Sequence, residues 1–252
     1  MLKTKFLSLL FIGFFFFGCT SSSEKIIYKN VLNSENWVVE QQPKGTSIFK
    51  DNQLEIIDAK GCSIWFKNKL EGNIKIEYEV TVIDEGGKYD CVSDLNCLWM
   101  ANNPRNPDDF FKESENRAGH FPNYHHFTAY YVGYGAHYNS KTRFRRYNGN
   151  INRPLLPKHD LSDKKFMITT NKKMQIEIIV QDNFTSYARD GEIIYKVADN
   201  KPYKSGYFGF RTVNNHMIIE NFKSDTTSLI AKKSITNENQ KYHHLTNNST
   251  IV

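Results

Sequence analysis

Between residues 37 and 224 the chain breaks into short runs in which apolar and polar side chains alternate with a period of two. The first runs are WVVEQ (37–41), NQLEIID (52–58), CSIWFKN (62–68) and NIKIEYEVTVID (73–84). LNCLWMA (95–101), HFTAYYVGY (126–134), TRFRRY (142–147) and FMITT (166–170) follow. MQIEIIVQD (174–182), FTSYARD (184–190), EIIYKVAD (192–199), GYFGFRTV (206–213) and HMIIENFKS (216–224) complete the series. Such alternation buries one face of a strand, and no convincing amphipathic helix interrupts it, so the pattern predicts an all-β sandwich of two antiparallel sheets in a single domain. Asp84-Glu85-Gly86-Gly87, Asn148-Gly149 and Asp190-Gly191 stand where the chain must reverse. Asp190-Gly191, between two alternating runs, is the strongest hairpin signal. Two long irregular segments, 102–125 and 148–165, are rich in Pro, Asn and charge and flank the central strands, where loops commonly shape a site.

The N-terminus adds a second kind of pattern. An apolar run from Phe6 to Phe17 follows two lysines and precedes Gly18-Cys19 and a Ser-rich stretch. A mostly apolar span of twelve residues suits a signal-peptide core better than a membrane span. The small residue followed by Cys resembles a bacterial lipobox, although Phe16 and Phe17 stand where Leu and a small residue are usual. The expected organisation is a lipoprotein signal peptide over 1–18, lipidation at Cys19, a linker over 19–24, a β-domain over 25–224 and a polar extension over 225–252. The mature domain is expected to be lipid-anchored to the outer membrane, on its periplasmic or cell-surface side.

Composition narrows the partners. Loss of Lys3 and Lys5 with the leader lowers the formal charge from +6 to +4, and no Lys/Arg block of the nucleic-acid-tracking kind is present. The arginines cluster in the stretch from His126 to Tyr147, which suits an anionic substrate. Cys91 and Cys97 lie about 20 Å apart if their segment is one extended strand, too far to bridge. With Cys62 they match no zinc spacing and read as small buried hydrophobes.

Splitting the runs by strand period yields a candidate face. Leu95, Cys97 and Trp99 form one apolar set, leaving Asp94 and Asn96 opposite. Phe127, Ala129, Tyr131 and Gly133 are expected inward, with His126, Tyr130 and Tyr134 on the other face. Phe144 reads as core with Arg146, against Arg143, Arg145 and Tyr147; Phe208 and Phe210 read as core, against Arg211. His216 begins the last strand beside Arg211 and either lines the same cleft or ends a hairpin. A merely solvated face would carry Lys, Glu, Thr and Ser; arginine and tyrosine suit carboxylate or sulfate recognition and stacking on sugar rings. His126 reads either as a base or as a hydrogen-bonded edge histidine, and His137 as a loop residue.

The segments SDLNCLWMA (93–101), YYVGYG (130–135), TRFRRYNG (142–149), RPLLPKHDL (153–161) and GYFGFRTVNNHMIIENF (206–222) resemble secreted polysaccharide-degradation proteins with a concanavalin-like β-jelly-roll. Within that group the resemblance is nearest to ulvan oligosaccharide dehydratase. It implies removal of water across C4 and C5 of a non-reducing-end uronic acid, giving a 4,5-unsaturated sugar. Arg143, Arg145 or Arg211, helped by Asn96, would neutralise the substrate carboxylate; Asp94, Tyr147 and His216 would complete the binding set. His126, Tyr130 or Tyr134 would take the C5 proton, and a tyrosine would protonate the leaving oxygen. No metal or organic cofactor is implied, with a structural calcium left open. A lyase would expel the next sugar instead of water, a glycoside hydrolase would need two facing carboxylates where only Asp94 is offered, and a non-catalytic glycan-binding lipoprotein would use the same groups.

Overall fold

The computed structural model describes residues 22–230. Sixteen strands run through them: β1 (Ser22–Lys29), β2 (Trp37–Gln41), β3 (Thr46–Lys50), β4 (Gln53–Asp58), β5 (Cys62–Phe66) and β6 (Leu70–Glu71). β7 (Asn73–Val82), β8 (Leu95–Asn102), β9 (Thr128–Gly135), β10 (Lys141–Asn148) and β11 (Asp160–Leu161) come next. β12 (Met174–Gln181), β13 (Phe184–Arg189), β14 (Glu192–Ala198), β15 (Ser205–Thr212) and β16 (Asn215–Ile230) close the series. Sheet 1 has the order β14-β13-β12-β7-β16-β4-β3, with β1 on β16; sheet 2 has the order β11-β10-β9-β8-β15-β5-β2, with β6 on β15. The ladders along both orders are antiparallel, giving the expected two-sheet jelly-roll. Residues Glu24–Ser228 form one compact unit.

Alternation explains how the sheets meet. In β7 every second residue, Ile74, Ile76, Tyr78, Val80 and Val82, is buried, and its register sets these beside Ile176, Ile178 and Val180 of β12. They pack against Trp99, Phe144, Phe208 and Phe210 of sheet 2, each large apolar side chain contributing about 1.5–3 kcal/mol by leaving water. Cys62 and Cys97 sit unbridged in this core, their thiols pushed up to about 12 by burial, as protonated small hydrophobes. The predicted hairpin at Asp190-Gly191 has both residues at positive φ (50° and 80°), the backbone of a type I′ turn.

Four expectations need correction. FMITT forms no strand: its carbonyls are taken by side chains, Thr142 Oγ1 on Phe166 O, Tyr134 and Arg189 on Met167 O, and Asn139 on Ile168 O. The last strand runs beyond Ser224 to Ile230, and a first strand begins at Ser22, inside the segment expected to be linker. The phase expected for β9 is inverted. Arg143 and Arg145 pair with Gly133 and Tyr131, so Tyr131 and Gly133 share the outer face with the arginines, while Tyr130, Val132 and Tyr134 point into the inter-sheet core. The remaining residues of the leader, Cys19 and the chain beyond 230 lie outside the described residues.

Candidate functional site

On the outer face of sheet 2 the strands leave a second aromatic layer, with Trp65, Leu98, Ala129, Tyr131 and Tyr147 packed under Phe110, Tyr124 and Phe127 of the 102–127 segment. A buried ion pair fixes that segment. Arg117 donates to Glu40 of β2 at 2.5–3.1 Å, Tyr124 Oη donates to the same carboxylate at 2.6 Å, and Phe110 and Phe127 lie within 5.1 and 5.5 Å of the guanidinium. A charge this buried persists only when its partner and hydrogen bonds are complete. The segment therefore stands as a wall beside the sheet.

Against that wall lies a cleft of about 430 Å³. Tyr131 and Gly133 of β9 and Arg143 and Arg145 of β10 form its floor; Phe121 and Arg153 come from the two long loops; Ser93 and Asp94 precede β8; His137 and Tyr138 close one end. Gly133 leaves room for the Tyr131 hydroxyl, which would sit 2.9 Å from a Cβ there.

Each side chain is held. Asp94 accepts from Ser93 Oγ at 2.6 Å and Asn96 Nδ2 at 2.9 Å. Arg143 donates to both Asp160 oxygens at 2.9 and 3.2 Å, holding that carboxyl below its usual range, and its Nη1 donates to His137 Nε2 at 2.5 Å. An arginine cannot accept, so the ring carries its lone pair on Nε2 and is the neutral tautomer. Arg145 Nη1 donates to the Arg153 carbonyl, and burial together with the Arg153 and Arg143 charges lowers its pKa. Among the described residues neither Arg145 nor Arg153 has a carboxylate partner.

The turn that carries the histidine is strained. His137, Tyr138 and Asn139 all have φ of 54–56°, a left-handed stretch that costs about 1–2 kcal/mol per residue. Asn139 hydrogen bonds to both backbone groups of Ile168, and Tyr138 N donates to Ser93 Oγ at 3.3 Å. Strain of this kind, held by surrounding bonds, is characteristic of functional turns. It presents Tyr138, 82% exposed, at the cleft mouth.

The structure thus brings together Asp94, Arg143 and Arg145 in the cleft, with Asn96 buried beneath Asp94 and Arg211 behind Phe121. It does not bring the expected acid and base there. Tyr130 donates to Asp199 in the core network with Arg146; Tyr134 donates to Met167 O; both phenols are raised in pKa by burial. His126 is buried against Asn103 Oδ1 at 3.0 Å and does not line the cleft. Tyr147 is buried with its ring tilted against that of Tyr131 at 5.3 Å, and it does not line the cleft. His216 belongs to sheet 1, where Glu55 and Asp90 hold its two nitrogens at 3.0 Å each. His137, Tyr138, Phe121 and Arg153 take the vacated places. No periodic signal marks loop residues, but GAHYN at a predicted turn and Arg153 opening RPLLPKHDL were visible as chemistry without a face.

A family model described as Domain of unknown function (DUF6250) matches residues 56–222. No curated protein matches the chain. Among solved structures, a Bacillus subtilis protein of unknown function with a galectin-like fold is 17% identical, with a TM-score of 0.60 over 81% of this chain and 96% of that one. The carbohydrate-binding module CBM66 from Bacillus subtilis is 12% identical, with a TM-score of 0.50 over 75% and 94% of the two chains. A mutant of the Emp46p carbohydrate recognition domain is 9% identical, with a TM-score of 0.52 over 78% and 95%. These likenesses place the sandwich in the galectin-like, concanavalin-like class of folds.

Proposed function

The chain belongs to the DUF6250 family, and we propose that this protein binds the uronic-acid end of an anionic oligosaccharide in the sheet 2 cleft and removes water across C4 and C5 of that sugar. The observation that carries the reading is the charge and proton inventory of the cleft. Three arginines face one aspartate, two of the arginines have no carboxylate partner among the described residues, and a neutral histidine and an exposed tyrosine stand beside them.

The chemistry follows from those groups. A proton at C5 is only weakly acidic, and its removal builds negative charge on the sugar carboxylate, which Arg143 and Arg145 neutralise. His137 accepts the C5 proton on Nε2 once the substrate carboxylate draws Arg143 away, the C4–O bond breaks, and Tyr138 donates its proton to the departing hydroxyl, which leaves as water. Asp94, its two oxygens already oriented by Ser93 and Asn96, accepts from ring hydroxyls. A sugar in place of the hydroxyl would make the same steps a chain-cleaving lyase reaction. Cys19 and the leader would tether the domain by lipid to the outer membrane, facing glycans outside the cytoplasm.

A second reading, glycan binding without turnover, is favoured by the fold shared with a carbohydrate-binding module and a carbohydrate recognition domain. Incubation with uronate-ended oligosaccharides separates the two. The expected result is rising absorbance of the conjugated alkene and a product lighter by one water, abolished by His137→Gln, with Arg145→Ala weakening binding about tenfold or more. Binding without new absorbance for every uronate tested leaves only the second reading, and shortened chains identify a lyase.

A further inference from the structure

Behind the cleft wall, the Phe121 ring covers polar atoms that find no partner inside the protein. The Arg211 guanidinium carbon lies 4.5 Å from the ring centroid and that of Arg153 lies 5.1 Å from it. The His125 ring meets Phe121 edge-on at 4.8 Å and 88°. Arg211 is only 2% exposed. Its Nη1 donates to the carbonyls of Cys62 and Gly119 and to Ser63 Oγ. Its Nε, Arg153 Nε and His125 Nε2 are all buried without a hydrogen-bond partner among the described residues.

An unpaired buried donor costs about 1–3 kcal/mol, more when charged, and native folds keep few of them. Here two guanidinium Nε donors and one imidazole nitrogen surround one ring, with the Tyr147 hydroxyl near Arg153. Neither guanidinium has a direct carboxylate partner among the described residues; the buried Asp58 carboxyl acts on Arg211 only through space. His125 adds no charge: burial first, then Arg153, Arg211 and Arg145, lower its pKa to about 4, leaving a neutral ring able to donate one hydrogen bond.

We propose that Arg153, Arg211 and His125 form a second oxyanion subsite, uncovered by rotation of the Phe121 side chain, which takes the sulfate ester or further carboxylate of the sugar next to the one in the cleft. The proposal deepens the acidic-glycan reading above and rests on it for the identity of the ligand. The backbone need not move. Gly119 N donates to the Tyr124 hydroxyl at 3.0 Å and Asn123 N to His120 O at 3.0 Å, so the segment stays anchored while one half-buried ring turns toward the cleft it already lines. Donors converging from different strands and loops suit an oxyanion that accepts in several directions.

The test is calorimetric titration of the full chain with three small ligands: a sulfated neutral monosaccharide, its unsulfated parent, and a free uronic acid. The sulfated sugar should bind about tenfold or more tightly than its parent, the margin of one charge-assisted hydrogen bond. Arg211→Lys, which keeps the charge but loses Nε, should cancel that margin, and Phe121→Ala should widen it. If Arg211→Lys instead weakens a second equivalent of the uronic acid and leaves the sulfated sugar at its parent's affinity, the subsite takes a carboxylate. Indifference of all three ligands to Arg211→Lys and Phe121→Ala overturns the subsite. The sulfated neutral sugar carries no carboxylate and Arg211 does not line the cleft, so this result is independent of whether the cleft itself binds uronate.

Discussion

On the outer face of sheet 1, Lys75 sits between Glu77 and Glu177 at 2.8 and 2.9 Å, and Lys173 between Glu79 and Glu220 at 3.0 and 2.9 Å. On the outer face of sheet 2, Arg145 and Arg153 have no such partner among the described residues, and aromatic rings and two long loops cover what sheet 1 leaves to water. Both faces rest on the same kind of antiparallel ladder over one shared core. Sheet 1 uses lysine, whose strongly hydrated ammonium pairs loosely in solvent; sheet 2 uses the fork of arginine, which suits planar and tetrahedral oxyanions. Sheet 1 carries a neutralised lattice open to water, whereas sheet 2 shelters two arginines without a carboxylate beside the paired Arg143 and Arg117, and that difference is what the proposed ligand site rests on.

The contrast breaks most visibly where sheet 2 does bury a complete ion pair. Glu40→Ala leaves Arg117 charged and buried, and should lower unfolding stability by about 3–5 kcal/mol in urea titrations while loosening the wall that carries Phe121. Acidity strikes the same side next. His125 binds its proton near pH 6.5 when unfolded and only near pH 4 when folded, so its contribution is complete above about pH 6.5, falls as pH drops toward 4 and is flat below. Discounted for solvent screening of a partly exposed ring, the expected loss is on the order of 1–2 kcal/mol, and His125→Gln should flatten the difference in urea midpoint between pH 7.5 and 4.5. An equally steep profile in that variant would place the acid sensitivity elsewhere. The smallest effect belongs to sheet 1, where Lys173→Ala, in a half-exposed pair, should move stability by no more than about 0.5 kcal/mol and leave acidic-glycan binding unchanged.

The sandwich was legible because most strands have one apolar face: β7, β8, β10 and β15 could each be phased alone. β9 could not, since Tyr130 and Tyr131 are adjacent and both sides of the strand are aromatic. Only its register with β10, Arg145 beside Tyr131 and Arg143 beside Gly133, settles which side meets the cleft. A rule applied between strands rather than along one would have found it, because directly paired residues share a face. The arginines of the cleft floor were readable for the same reason that Tyr130 and Tyr134 were misplaced: β10 alternates cleanly and β9 does not. His137, Tyr138, Phe121 and Arg153 were not placeable, since loop and turn residues have no period and their directions depend on bonds to Ser93, Ile168 and Glu40 that no local pattern encodes.

The clamp between Glu40 and Arg117 joins residues 77 apart in sequence. Closing so long a loop costs entropy before any contact repays it, and such pairings form slowly. The wall of the cleft, and with it Phe121, cannot settle until β2 has joined the edge of its sheet. A chain arrested before that step would hold much of its core and still lack the cleft wall, so the time at which the wall docks during refolding is a clock for the last stage of assembly.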